Sequence, residues 1–217
     1  KSIIITGTNG KSTTCFLIHH ILKKNNIENQ LAGNIGKPIL NIKFDKKEIY
    51  IIEASSFQLE YSQFIKPYCA AILNVSQDHL DWHGSKKKYI KSKIKIFNNQ
   101  SKNDIAFLND KSLKKIYLNN NFLAKLKFIN SNPINFKNID NIYLKLEANR
   151  NNIKFAYFIT KLFDINKKNF LESLRSFKGL SHRHEIFFKL NNYTFINDSK
   201  ATSFESTKYA LKSNKNI

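Results

Sequence analysis

Gly7-Thr8-Asn9-Gly10-Lys11-Ser12-Thr13-Thr14 sets two glycines, a lysine and a run of hydroxyls between an apolar run and a stretch with helical spacing. Those residue types suit a phosphate. Glycines let backbone N–H groups turn toward an anion, a helix N-terminus adds its positive dipole, and Lys11 neutralises the outer phosphates. The Ser12 hydroxyl is a ligand for Mg²⁺. The full GxxxxGK[ST] pattern is not met, because Ile5 stands where its first glycine belongs, and a Gly turn capping an ordinary helix is the competing reading. Glu53 closes a second apolar run, Ile49 to Ile52. An acid there either holds the Mg²⁺ that bridges nucleotide phosphates or is a solvated strand terminus. Asp78-His79-Leu80-Asp81-Trp82-His83 follows a third run and suggests a metal, although the further His and Asp clusters of a dinuclear hydrolase are missing. Convergence of Ser12, Glu53 and His79 from three strand ends favours a divalent-cation site.

For these residues to meet, the chain must build a largely parallel sheet, and its alternation of apolar runs with amphipathic segments predicts one. Strands are expected at Ser2–Ile5, Ile49–Ile52, Cys69–Leu73 and Asp104–Leu108. Helices are expected over 11–24, over 86–97 with Ser85 as N-cap, over 152–163 and over 167–177. The stretch from Asp110 to Leu146 resists parsing, with Asn-rich turns around strand-like pieces such as Leu126–Phe128. A boundary is expected near Lys178-Gly179-Leu180. Beyond it, Glu185–Leu190 and Tyr193–Asn197 read as a hairpin joined by Asn191-Asn192, and 204–211 as a helix capped by Thr202 or Ser203.

The 217 residues suffice for one good core, or one core and the beginning of a second. No run approaches the length of a membrane span, and isolated Cys15 and Cys69 fit a reducing cytoplasm. A formal net charge of +20 invites a nucleic-acid reading. Against it, the positive charge is mostly Lys dispersed through every segment. Arg150, Arg175 and Arg183 are the sole arginines, poor equipment for bidentate recognition. The absence of Met and a first strand beginning at residue 2 lead to the expectation of a piece of a longer protein.

GTNGKST resembles the ATP-binding loop of the Mur ligase superfamily, whose shorter loop accounts for Ile5. Further segments are similar to its D-glutamate-adding branch, in the same order: Gly33-Asn34-Ile35-Gly36, Glu53 through Glu60, Asp78 through Ser85, Gly179 through Arg183, and Asn197 through Thr202. The resemblance implies an α/β fold with a P-loop and a mostly parallel sheet flanked by helices. That central domain would span 1–178, followed over 179–217 by the truncated start of a Rossmann-like C-terminal domain. The N-terminal UDP-binding domain would be absent.

It further implies roles. Gly7, Thr8, Asn9, Gly10, Lys11, Ser12 and Thr13 would hold ATP phosphates. Ser12 and Glu53 would bind one Mg²⁺, and His79 would help bind a second. Lys93 aligns with a lysine that carbamylation turns into a carboxylate-like metal ligand. Asn34, Ser55 and Gln58 would face the muramoyl substrate, and Asn152, with Asn149, would approach adenine. Arg183 and Asp198 would reach the nucleotide, with Lys200 and Thr202 near the reacting groups. Two departures stand out. Leu146-Glu147-Ala148-Asn149-Arg150 lacks the family's usual His, and Ala54 replaces a Leu. The implied reaction joins D-glutamate to UDP-N-acetylmuramoyl-L-alanine through an acyl phosphate in cytoplasmic peptidoglycan synthesis. The enzyme would be a monomer at full length and inactive as this piece alone. A sibling ligase of the superfamily, or a folylpolyglutamate synthase, is the alternative.

Overall fold

Ile3, Ile4 and Ile5 are β-branched and consecutive, so an extended strand built from them has no polar face to give to water. The computed structural model, which describes residues 1–201 together with Thr207, Lys208 and Leu211, buries all three. They belong to β1 (Ser2–Thr6), which is followed by α1 (Lys11–Lys24), β2 (Asn29–Gly33), β3 (Ile49–Glu53), α2 (Ser56–Tyr61) and β4 (Cys69–Ile72). Next come α3 (Leu80–His83), α4 (Lys86–Ile94), β5 (Ile105–Leu108), α5 (Lys111–Asn119), β6 (Lys125–Phe128), α6 (Ile142–Lys145), α7 (Arg150–Thr160) and α8 (Lys167–Arg175). The six strands form one sheet in the order β2-β3-β1-β4-β5-β6, parallel throughout.

Alternate side chains along the central strands feed two cores. Ile3, Ile5 and Ile51 pack with Leu17, Ile18 and Ile21 of α1, Phe155 and Ile159 of α7, and Phe170 and Leu174 of α8. On the other face Ile4, Ile52 and Ile72 pack with Leu59 of α2, Ile94 of α4, and Leu113 and Tyr117 of α5. The strand order reverses between β1 and β4: the chain passes from β1 outward to β2 and β3, then returns to β4 on the opposite side. Loops leaving the carboxyl ends of those two strands diverge and open a crevice there.

The stretch 110–146 resolves into α5, capped by the Asp110 side chain on the Leu113 N–H, then β6, a 3₁₀ turn at Phe136–Asn138, and α6. β6 is an edge strand with Lys125 and Lys127 exposed, so it carries little apolar signal. The other edge, β2, has the same deficit in Asn29-Gln30-Leu31-Ala32-Gly33. The expected helix over 86–97 finishes in a 3₁₀ turn, Lys95–Phe97, as does α7 at Lys161–Phe163. β7 (Glu185–Leu190) and β8 (Tyr193–Asn197) form an antiparallel hairpin closed at Asn191-Asn192. Gly179 turns the chain toward it at φ 81°, where a β-carbon would come within 3.0 Å of the Tyr143 ring. Thr202 and most of the helix expected over 204–211 lie outside the described residues.

Phe155 is fully buried where α7 meets the sheet. Phe155→Ala is expected to lower unfolding free energy in urea by about 3–5 kcal/mol.

Candidate functional site

The loop between β1 and α1 lies over the crevice. Gly7 and Gly10 take φ of 156° and 84°, and a β-carbon on Gly10 would strike the Asn152 side chain. Four N–H groups in the first turn of α1 have no helical partner by construction and, with the dipole, make an anion site. Lys11 Nζ donates to the carbonyls of Gly7 at 3.0 Å and Thr8 at 2.7 Å, holding the ammonium over the loop. Burial lowers its pKa, and the positive charge of Arg183 adds to that, while Glu53 and Asp78 oppose it. Thr8 Oγ1 lies 3.1 Å from the Tyr89 hydroxyl and accepts from the Ser76 N–H at 3.0 Å. Thr13 Oγ1 lies 3.4 Å from the Tyr143 hydroxyl.

Glu53 ends β3 with 2% of its surface exposed. Oε1 accepts from Asn34 Nδ2 at 2.9 Å, whereas Oε2 is buried without a partner among the described residues. A buried carboxylate oxygen left unsatisfied costs stability unless a cation or donor reaches it. The donor chemistry fits Mg²⁺, which takes one or two carboxylates and fills its remaining positions with water and substrate phosphate. No three His, Cys, Asp or Glu side chains among the described residues group tightly enough to cage a metal alone. The Ser12 hydroxyl accepts from Arg183 at 3.1 Å. His79 sits in the left-handed region at φ 51°, its Nε2 3.5 Å from Asp78 and its ring tilted against Phe57. Its neighbour His83 is buried, 3.0 Å from Ser56 Oγ, and pins α3 to α2.

Lys93 is the most unusual residue. It is 1% exposed, donates to the Gly7 carbonyl at 3.0 Å, lies 4.4 Å from the Tyr89 ring centre, and makes no ion pair among the described residues. Burial, reinforced by Lys11, lowers its pKa to about 7 against the pull of Asp78.

A cavity of about 540 Å³ adjoins the loop, lined by Asn9, Gly10 and Thr13, by Asn149 and Asn152, and by Arg183 and Asp198 from the hairpin segment. Of the expected nucleotide residues, Asn9, Gly10, Thr13, Asn152, Arg183 and Asp198 line this cavity, while Gly7, Thr8, Lys11 and Ser12 do not. Asn152 is buried, its Oδ1 accepting from Thr14 at 3.3 Å and its Nδ2 donating to Asn149 at 3.0 Å. Asn149 in turn donates to the Tyr143 carbonyl. These amides tie the start of α7 to Thr14 of α1 and to Tyr143 of α6. Asp198 accepts from the His184 N–H, and Lys200 is exposed, its N–H bonded to the His182 carbonyl. Ser55 and Gln58 form a reciprocal cap on α2, and Asn34 supports Glu53. The roles of Asn74, Tyr89 and Tyr143 in holding the loop escaped the sequence reading. Only Asn74, at a strand end in the crevice, offered a signal.

With this geometry in place, known proteins give a consistent answer. The model of the Mur ligase middle domain matches residues 5–175. The UDP-N-acetylmuramoylalanine–D-glutamate ligase of Rickettsia felis is 37% identical over 236 aligned residues, covering 99% of this chain and 52% of that protein. Its namesake from Natranaerobius thermophilus is 33% identical, covering 98% of this chain and 51% of that protein. The chain thus spans about half the length of the curated relatives it matches. Among solved structures, MurF from Acinetobacter baumannii superposes with a TM-score of 0.75 at 16% identity, covering 99% of this chain and 55% of that one. The MurF ligase of Thermotoga maritima, solved in complex with ADP, gives 0.74 at 15% identity, covering 98% and 56%. At such identity the likeness is of fold.

Burial lowers the pKa of the Lys93 amine to about 7 in the folded chain, against 10.5 for a solvated lysine in the unfolded one. Between those values the unfolded chain binds more protons, so stability rises with pH across the window and is lost as pH falls through it. In CO₂-free buffer this side chain is expected to contribute up to about 1.4 kcal/mol per pH unit. Urea unfolding of Lys93→Met should lack that part of the slope, and parallel pH profiles for the two proteins would contradict it.

Proposed function

Since the chain belongs to the Mur ligase family through its middle domain, we propose that it is the nucleotide-binding centre of an ATP-driven ligase. That ligase joins D-glutamate to UDP-N-acetylmuramoyl-L-alanine in cytoplasmic synthesis of peptidoglycan precursors. The observation that carries this reading is the meeting of three groups at the β1 carboxyl end: Lys11 over the loop, buried Lys93 beneath it, and Glu53 with an unsatisfied oxygen. The identity to relatives that bear this name supports the choice of amino acid. Residues 1–178 constitute the central domain in this proposal and 179–217 the start of the next, with uridine recognition assigned to other parts of a longer, monomeric protein.

The first-turn N–H groups of α1 and Lys11 bind the phosphates of ATP and offset the charge that builds as a carboxylate approaches the γ-phosphate. Glu53, Ser12, His79 and carbamylated Lys93 would hold Mg²⁺, which when bound neutralises phosphate oxygens and polarises the transferring group. Arg183 exchanges Ser12 Oγ for nucleotide oxygens, carrying the hairpin against the cavity. Lys93 is suited to carbamylation because its amine, buried and held near 7, is partly unprotonated at neutral pH. The free amine adds CO₂, forms an N–C bond and releases a proton, and the resulting anion suits a cation in a way the ammonium does not. Asn34, Ser55 and Gln58, at the β2–β3 side of the crevice, are assigned to the muramoyl substrate, and Lys200 and Thr202 to the reacting groups. Closure over the cavity would keep water from the acyl phosphate before the D-glutamate amine arrives.

The test uses the full reading frame that contains this chain. Phosphate release from Mg-ATP with UDP-N-acetylmuramoyl-L-alanine is expected to require D-glutamate and to fail with L-glutamate. Release with another amino acid, or with a folate acceptor, would keep the nucleotide site and discard the substrate. Labelling with ¹³CO₂ is expected to give a carbamate resonance that Lys93→Met lacks. A spectrum shared by both proteins would remove Lys93 from the metal site.

A further inference from the structure

The geometry points to Asn74 as the residue that positions the phosphate loop, through reciprocal pairing of its carboxamide with both backbone polar groups of Asn9. Asn74 Oδ1 accepts from the Asn9 N–H at 2.9 Å, and Nδ2 donates to the Asn9 carbonyl at 2.9 Å. The backbone carbonyl of Asn74 also accepts from the Thr8 N–H at 3.0 Å. Consecutive loop residues are thereby tied to the exit of β4 across a separation of 65 positions in the chain. This is a side chain doing what a neighbouring strand does elsewhere in the sheet.

The clamp answers a deficit in the loop itself. Ile5 occupies the place of the first glycine, and the chain runs straight through it as part of β1. The turn is left to Gly7 and Gly10, with Asn9 exposed between them and outside any ladder. Without Asn74 the polar groups of Asn9 would bond to water and the loop would sample other turns, a cost recovered only on binding. Because the Asn9 N–H is committed to Asn74, the donors left for an anion are those of the first turn of α1. Asn74 acts through Asn9 and is a positioning residue. The inference rests on the nucleotide reading of this site.

The experiment compares Asn74→Asp and Asn74→Leu with the unsubstituted protein in its full reading frame, measuring Kd for Mg-ATP by calorimetry and kcat at saturating ATP. At alkaline pH the Asp carboxylate faces the Asn9 carbonyl and has no proton to give, so Kd is expected to rise by about tenfold or more. As pH falls through the titration of the introduced carboxyl, its protonated form offers a C=O and an O–H where the amide offered C=O and N–H. The ratio of variant to wild-type Kd is then expected to fall back toward one, while Asn74→Leu stays weak at every pH. For both variants the effect is expected in Kd and KM for ATP, with kcat and KM for D-glutamate little changed. Hydrogen exchange at the Asn9 amide is expected to accelerate in Asn74→Leu at every pH, and in Asn74→Asp only while its carboxyl is ionised, which separates loosening of the loop from global unfolding. Wild-type affinity in Asn74→Leu, a loss in Asn74→Asp that ignores pH, or unaltered exchange at Asn9 would each overturn the proposal. Absence of Mg-ATP binding by the unsubstituted protein would overturn the ligase reading and the clamp with it.

Discussion

The central strands are covered by helices on both faces, and that constraint decides where chemistry can happen. Ile3, Ile4 and Ile5 point alternately into two apolar cores, as do Tyr50, Ile51 and Ile52. A polar side chain within those runs would be stranded without water. Polarity is therefore confined to the strand ends, and it is at the carboxyl ends of β1, β3 and β4 that Thr6-Gly7, Glu53 and Asn74 occur. The reversal of strand order between β1 and β4 supplies the crevice in which these ends meet. Helix α1 then starts where its unsatisfied N–H groups face that crevice.

The electrostatics of the crevice follow from how few acids reach it. Lys11 and Lys93 both hydrogen-bond to the Gly7 carbonyl; burial lowers the pKa of each, the Lys11 charge lowers that of Lys93 further, and Glu53 and Asp78 are the acids that act on Lys11. Two amines on one loop carbonyl are unfavourable for folding and favourable for a polyanion. Burying an amine without an acid is costly, and replacement by an apolar residue of similar shape commonly stabilises a core. Under the proposed carbamylation, Lys93 is a group whose charge is changed by reaction rather than matched by a neighbour. Glu53 shows the complementary imbalance, with one oxygen bonded to Asn34 and the other to nothing described.

Much of this was legible in the residues because the central strands are continuous apolar runs ending in polar ones. β1, β3, β4 and β5 fall within a residue of where such runs predict them, and α1, α7 and α8 follow helical spacing. β2 was missed, and β6 was caught only as the strand-like piece Leu126–Phe128, because an edge strand needs only one well-covered side, and Lys125 and Lys127 use the other to face water. Short α2 and α3 depend on local devices, the Ser55–Gln58 cap and the buried His83–Ser56 contact, which periodicity does not register. In the site, residue type singled out the loop after β1 and Glu53 as candidates. It did not foresee that Asn149 and Asn152 spend their amides on each other, on Thr14 of α1 and on the Tyr143 carbonyl, because an amide's partner is a tertiary matter.

The same distinction bears on the hairpin. Its strands expose Phe187, Phe188, Leu190 and Tyr193, so apolar packing does little to fix β7 and β8 onto the sheet. The connection to the phosphate loop runs instead through Arg183 on Ser12 Oγ, with Asp198 beside the same cavity. A hydrogen bond from a guanidinium to a hydroxyl contributes on the order of 1–3 kcal/mol, and a phosphate oxygen competes for that donor on better terms. An attachment of this kind can be exchanged without unpacking a core. Under the proposed nucleotide site, the contact that ties the hairpin to Ser12 uses a donor that can be given up to a phosphate oxygen.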